Sequence, residues 1–250
     1  MRSTIVAIFL FVSSLNLNAQ VDSVTNSVLY EAVQRTPPTA SEVSDIVNYF
    51  RLTTKDDREL LEMAFYWISL NIQYDLELSK KTQLTSSDIS VENTLITGKT
   101  ICSGYSQLLC EFAYYLNLEC EVISGIGQNY LEPKIDSLTT NHAWNAVEVN
   151  NEWMLIDPTW GSGGYLGLSE DYLQQIDMRY FLSDPKFLLI DHLPKNPEWQ
   201  LVDEPISYSE FRNEYWSEMR FRKFNELMNE DDYQNHLRMM ENAERYKNEN

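Results

Sequence analysis

Cys102, His142 and Asp157 stand in the chain order and surroundings that a thiol nucleophile, its base and an orienting carboxylate require. Gly98-Lys99-Thr100-Ile101 reads as a turn, and from Ser106 to Leu116 apolar residues recur at helical intervals, so Cys102 is expected to open a buried helix. A thiol placed there meets backbone N–H groups outside the intrahelical ladder and the positive end of the helix dipole. Both favour thiolate and pull the pKa below the ordinary value of about 8.5.

His142 and Asp157 test each other through strand geometry. The segments His142 to Val149 and Glu152 to Asp157 flank the turn pair Asn150-Asn151, which is a hairpin signal. With a two-residue turn, Val149 faces Glu152, Trp144 faces Asp157 and His142 faces Thr159, all four of the latter on one side of the sheet. Asp157 is then a diagonal neighbour of His142, about 7 Å away along the backbone and within reach of its side chain. The carboxylate can fix the imidazole tautomer and leave the other nitrogen for Cys102. A lone cysteine is most often a small buried residue and a lone histidine a satisfied polar group. Correct hairpin parity combined with a cysteine at a helix start favours the triad.

The chemistry such a triad performs is acyl transfer. The Cys102 thiolate attacks an amide carbonyl, the backbone N–H of Cys102 helps hold the oxyanion, and His142 protonates the departing amine to leave a thioester. A second oxyanion donor is needed, for which Gln73 or Tyr74, at the end of the preceding helix, is a candidate by position; Trp144 is a candidate cleft residue. Metal and phosphate chemistry find little support, because His192 and His236 stand apart from cysteine pairs and no glycine-rich phosphate loop occurs. His192 reads as structural, and no cofactor is expected.

Three sequence blocks resemble the core motifs of the transglutaminase-like superfamily: Ile101-Cys102-Ser103-Gly104-Tyr105-Ser106, Asn141-His142-Ala143-Trp144-Asn145 and Trp153-Met154-Leu155-Ile156-Asp157-Pro158-Thr159-Trp160. The likeness extends upstream to Tyr66 through Asp75, and downstream to Tyr180 through Pro185, His192-Leu193-Pro194 and Trp199-Gln200-Leu201. It is nearest to the kyphoscoliosis-peptidase branch and covers roughly residues 40 to 212. The resemblance implies an α+β fold of papain-like type, in which a central helix carrying the nucleophile packs on an antiparallel sheet carrying histidine and aspartate. It also implies a cysteine peptidase or amidase acting on protein or peptide amides. The alternatives are a glutamine transamidase and a non-catalytic peptide-binding or scaffold module. The paired-cysteine zinc motif of the peptide N-glycanase relatives is absent.

The elements that position these residues begin with helices before the cysteine segment. One starts near Thr39-Ala40-Ser41-Glu42, which has capping-box form after Pro37-Pro38, and a second runs from about Asp57 to Ile72. A strand is expected over Cys120 to Gly125. The polar stretch from Gly127 to Asn141 and the Gly161-Ser162-Gly163-Gly164 segment read as loops beside the cleft and as candidate substrate contacts. From Phe211 onward apolar residues recur at helical spacing through Tyr215, Met219, Phe224, Leu227 and Met228, within a highly charged background. The expected organisation is therefore a signal peptide over 1–19, a domain with N-terminal helices over 20–210, and a charged helical tail over 211–250.

Composition agrees with one globular domain, since 43% hydrophobic residues with 15 Tyr and 6 Trp in 250 residues supply a sizeable core. A net charge of -19 opposes nucleic acid and anionic membrane surfaces as partners and suits a neutral or cationic substrate. Arg2, the apolar run Ile5 to Val12 and the small residue of Leu17-Asn18-Ala19 have the form of a bacterial secretory signal, too short to span a bilayer. A secreted or periplasmic protein without membrane insertion is expected. Three cysteines leave at least one free within the chain, and Cys102 is the choice. Cys102 and Cys110 on one helix lie about 12 Å apart in rise, beyond disulfide reach. A Cys110–Cys120 bridge is conceivable, with separate burial of the two as the favoured reading.

Overall fold

The computed structural model describes residues 28–38, 41–128, 139–165 and 172–227. The expected signal segment, the centre of the 127–141 loop and the chain beyond 227 lie outside the described residues. Among the described residues no helix is long and apolar enough to cross a membrane.

Three helices open the described chain, α1 (Val28–Gln34), α2 (Val43–Phe50) and α3 (Asp57–Asn71). The first was not expected; it seats Val33 in the core and sets Tyr30 edge-on against Tyr66 of α3. Helix α2 begins at Val43, one residue past the Thr39-Ala40-Ser41-Glu42 segment expected to open it. Glu42 occupies the N-cap of α2 without a side-chain bond, and Thr39 and Ala40 are not described. At α3 the N-cap Asp56 accepts the Glu59 N–H at 3.0 Å, and the acidic first turn of Asp57 and Glu59 suits the positive helix end. Short elements follow: β1 (Gln73–Tyr74), α4 (Leu76–Ser79), α5 (Val91–Thr97) and β2 (Lys99–Thr100).

The helix α6 (Cys102–Leu116) starts at Cys102 and is the centre of the molecule. Tyr105, Leu108, Leu109, Phe112, Ala113 and Leu116 recur at three- and four-residue intervals and are buried, facing α3 on one side and the sheet on the other. Asn117, in the left-handed conformation at φ 63°, ends the helix.

The sheet comprises β3 (Cys120–Gly127), β4 (His142–Val149), β5 (Glu152–Ile156) and, beyond a small pair β6 (Gly163–Tyr165) and β7 (Tyr172–Gln174), β8 (His192–Pro194). Its order is β5-β4-β3-β8, antiparallel throughout. The expected hairpin register is observed from Val149 opposite Glu152 to Asn145 opposite Ile156, but β5 ends there. The expected pairs Trp144–Asp157 and His142–Thr159 are not ladder pairs, because the Asp157 N–H bonds the Tyr180 carbonyl and Thr159 turns into a 3-10 segment. Asn150 and Asn151 both take positive φ, 56° and 65°, the signature of a turn whose twist matches the strands it joins. With α6 on one face and aromatic side chains on the other, the architecture is α+β, a helix carrying Cys102 against an antiparallel sheet.

Several expectations are corrected. The strand β3 runs two residues further than expected, to Gly127. Gly161 to Gly164 is not a flexible loop: Trp160–Ser162 form a 3-10 turn, Ser162 is buried with its hydroxyl against the Pro158 carbonyl and Ser69, and Gly163 enters β6. Cys110 and Cys120 are bonded to each other, because α6 ends and β3 begins with their Cα atoms 5.3 Å apart, so Cys102 is the free thiol. Past α7 (Pro185–Leu188) and α8 (Tyr208–Phe211), the helix α9 (Glu214–Leu227) docks through Arg220 and Lys223, both buried, while Tyr215 of the expected apolar stripe is 59% exposed.

Candidate active site

At the start of α6 the Cys102 N–H lies in the first turn, outside the intrahelical ladder. Its sulfur is hydrogen-bonded to His142 and accepts the backbone N–H of Ala143, so β4 meets the helix at this point. Asn145, two residues on, donates its side-chain amide to the Ser106 carbonyl at 3.0 Å and holds α6 against β4.

His142 Nε2 lies 2.8 Å from Asp157 Oδ2, which leaves Nδ1 for Cys102. Asp157 follows β5, is fully buried, and receives four N–H groups. Oδ1 accepts from the backbone of Thr159 at 2.8 Å and of Trp160 at 3.1 Å; Oδ2 faces His142 and, at 2.9 Å, His192 Nε2. The structure thus brings Cys102, His142 and Asp157 together in the expected order of contact.

Electrostatics follow from these contacts. Burial pushes the Cys102 thiol up, but the His142 hydrogen bond and charge, with the Ala143 N–H, outweigh it and leave the thiol below its ordinary value. Burial also opposes charge on His142, and the Asp157 carboxylate overcomes it, pushing the imidazole up to about 10. Asp157 resists burial in turn through His142 and His192, which hold its carboxyl well below the usual carboxylate range. The arrangement favours a thiolate beside an imidazolium.

Two glycines make room for it. Gly125 lies opposite His142 and Pro194, and Gly127 lies opposite His192, so the rings from β4 and β8 cross over a strand that presents no side chain there. A Cβ on Gly125 would fall 2.4 Å from both the Trp144 ring and the Leu193 carbonyl oxygen, and one on Gly127 3.0 Å from the His142 ring. The Asn141 side-chain amide bonds the Gly127 N–H and carbonyl, both at 2.9 Å, and secures the strand end beside His142.

Of the proposed cleft residues, Trp144 is buried beneath the histidines, its ring centroid 5.9 Å from His142 and 5.0 Å from His192, so it supports the rings and does not line an open cleft. Gln73 is exposed and Tyr74 half-buried on β1, which pairs in parallel with β2, the strand leading into Cys102. Sequence reasoning missed the place of His192, whose signal was the His192-Leu193-Pro194 block, and gave no role to Asp191, which meets His192 Nδ1 at 2.6 Å.

His142, Asp157 and His192 bring ligand-type atoms within 4.8 Å of one another. In this arrangement the Nε2 atoms of both histidines lie at hydrogen-bond distance from Asp157 Oδ2, 2.8 and 2.9 Å, and Oδ1 accepts the Thr159 and Trp160 backbone N–H groups, so the three side chains are engaged with one another as a hydrogen-bonded cluster.

Residues 44–158 match the transglutaminase-like superfamily. The chain is similar to mouse kyphoscoliosis peptidase, at 29% identity over 183 residues covering 72% of this chain and 27% of that protein. The human kyphoscoliosis peptidase is 28% identical over the same shares. Drosophila melanogaster Hillarin is 27% identical over 183 residues, covering 65% of this chain and 21% of that protein. The chain spans about a quarter of the length of these relatives. Residues 44–158, which carry Cys102, His142 and Asp157, thus match a transglutaminase-like superfamily domain, and the chain around them is similar to the kyphoscoliosis peptidases.

Proposed function

We propose that this protein performs thiol-dependent acyl chemistry on protein or peptide amides, as a cysteine peptidase or amidase. The observation that carries this reading is the continuous contact from Cys102 through His142 to Asp157, buried at the junction of α6 and the sheet. The Cys102 thiolate adds to the amide carbonyl and forms a C–S bond, with the Cys102 N–H as one oxyanion donor. Collapse of the tetrahedral intermediate breaks the C–N bond as the proton on His142 Nδ1 passes to the amine. His142, now neutral, takes a proton from water, whose oxygen attacks the thioester; the acid leaves and the thiolate–imidazolium pair is restored. Asp157 fixes the tautomer and stabilises the imidazolium.

A second reading is favoured by the superfamily match: a primary amine replaces water and the product is a transamidated protein. Export to an oxidising compartment completes the proposal, and the Cys110–Cys120 bond supports it, since such bonds persist outside the reducing cytosol.

The test is the pH-dependent rate of Cys102 alkylation in the purified protein and in His142→Ala, read by intact mass. Rapid labelling at neutral pH that collapses in the variant supports the reading, and slow labelling indifferent to the variant overturns it. Casein cleavage and incorporation of a dansylated primary amine into casein then separate hydrolysis from transamidation.

A further inference from the structure

We infer that His192, Asp191 and Lys223 form a buried positioning arm through which a cation carried by α9 acts on the Asp157 carboxylate. On this view α9 belongs to the apparatus that forms the thiolate. The inference rests on the proposed role of Cys102.

The contacts are continuous. Asp157 Oδ2 meets His192 Nε2 at 2.9 Å, His192 Nδ1 meets Asp191 Oδ1 at 2.6 Å, and Asp191 Oδ2 meets Lys223 Nζ at 2.7 Å. The His192 side chain is fully buried, and those of Asp191 and Lys223 are 8% and 4% exposed. The strands place them: β8 brings Asp191 and His192 beside the end of β3, where the Gln128 N–H bonds the Asp191 carbonyl at 2.8 Å. The Lys223 ammonium lies 3.7 Å from the centroid of the Phe187 ring and 5.0 Å from that of Tyr180.

Burying such groups is unfavourable, and apolar side chains of the same volume generally stabilise a fold as well or better. A helix whose only task was to dock would turn its apolar stripe inward. This one leaves Tyr215 in solvent and sends Lys223 to a carboxylate two contacts from Asp157.

The consequence for Asp157 is geometric and electrostatic. Its Oδ1 is fixed by two backbone N–H groups, but Oδ2 is fixed only by imidazoles, so His192 sets the orientation of the oxygen that His142 uses. Asp191 holds His192 by its other nitrogen, and Lys223 offsets the Asp191 charge. Among the described residues, the other charged or titratable groups acting on the arm include Asp177, which caps a 3-10 turn over Met178–Tyr180, Arg179 and Tyr180 of that turn, and Arg220 of α9. Burial opposes charge on Asp191 yet Lys223 and His192 keep its carboxyl below the usual range; burial draws Lys223 below its ordinary value against the pull of Asp191.

The test is the pH profile of iodoacetamide alkylation at Cys102, the free thiol of the described chain. Removing a cation raises the pKa of every group that feels it, so Lys223→Met should move the acid limb up by roughly half to one pH unit. Lys223→Arg should keep the parent profile, and Asp191→Asn combined with Lys223→Met, which removes both charges, should return the limb towards the parent. A helix that merely stabilises the fold would lower the labelled fraction or the melting temperature without moving the limb. A Lys223→Met limb that superimposes on the parent overturns the inference.

If Lys223→Met does not fold, coupling is reciprocal, and the parent protein decides. Alkylation of its Cys102 should shift the NMR resonance of the Lys223 ammonium protons, and an unmoved resonance overturns the arm. A parent whose Cys102 shows no activation at neutral pH overturns the proposed function instead, and the ammonium resonance still reports on the arm.

Discussion

Replacing Asp157 by Asn keeps the size of a side chain that is fully buried and changes what it can accept. The amide oxygen can still take the N–H groups of Thr159 and Trp160 where Oδ1 does now, but an NH2 group then faces His142 Nε2 and His192 Nε2 in place of Oδ2. His142 loses the charge that overcame its burial, and the imidazolium that lowers the Cys102 thiol goes with it. Burial then opposes the charged thiol with only the Ala143 N–H still lowering it, so the thiol moves up and its ionised fraction at pH 7 falls. A more basic thiolate is also more nucleophilic, which recovers part of the loss, so the alkylation rate at pH 7 should fall by roughly 10- to 100-fold. Turnover, which needs the imidazolium as acid as well, should fall by up to about 10⁴. Stability should drop by about 3–5 kcal/mol, since one partner of a buried pair is removed, so the assay runs well below the thermal transition with folding checked by near-UV circular dichroism. Asp157→Asn that stays folded and labels within threefold of the parent would refute the reasoning, because the imidazolium would then owe nothing to Asp157.

Three further outcomes follow from the same contacts. His142, raised to about 10, contributes stability that is complete below 6.5 and lost as pH rises through about 10; Asp157, depressed, contributes stability present above 3.8 and lost as pH falls through its folded value. Urea unfolding of Cys102→Ala, which removes the opposing contribution of the thiol, should show a maximum between about pH 4 and 6.5, and a flat profile from 4 to 10 would contradict this. Opening the Cys110–Cys120 bond, whose partners are 10 residues apart, should lower stability by about 2.5–3 kcal/mol and the melting temperature by about 5–10 °C; unchanged calorimetry with both thiols verified free by mass would count against it. Gly127→Ala places a Cβ 3.0 Å from the His142 ring and should slow Cys102 alkylation about 3- to 10-fold with little loss of fold, an outcome disproved by an unchanged rate.

Local patterns carried much of the site. The periodicity from Ser106 to Leu116 placed Cys102 at a helix start, and the hairpin around Asn150-Asn151, whose register is observed as far as Asn145 and Ile156, brought His142 and Asp157 close enough to bond just beyond its paired end. Both rest on contacts between residues close in the chain, where spacing dictates geometry. The Gly161 to Gly164 segment misled for the opposite reason: glycine signals conformational freedom, and the burial of Ser162 against Ser69, far away in sequence, removes it.

The amino-acid sequence by itself determined which thiol, imidazole and carboxylate could meet, because a helix start and a two-residue hairpin are set by neighbouring residues. Only the tertiary structure decided what surrounds them. Pairing of β8 with β3 brought His192 onto Asp157, the approach of α6 and β3 joined Cys110 to Cys120, and the docking of α9 delivered Lys223 to Asp191. Hydrophobic periodicity reports which face of an element is buried but not which distant element covers it, and each of these contacts depends on that choice.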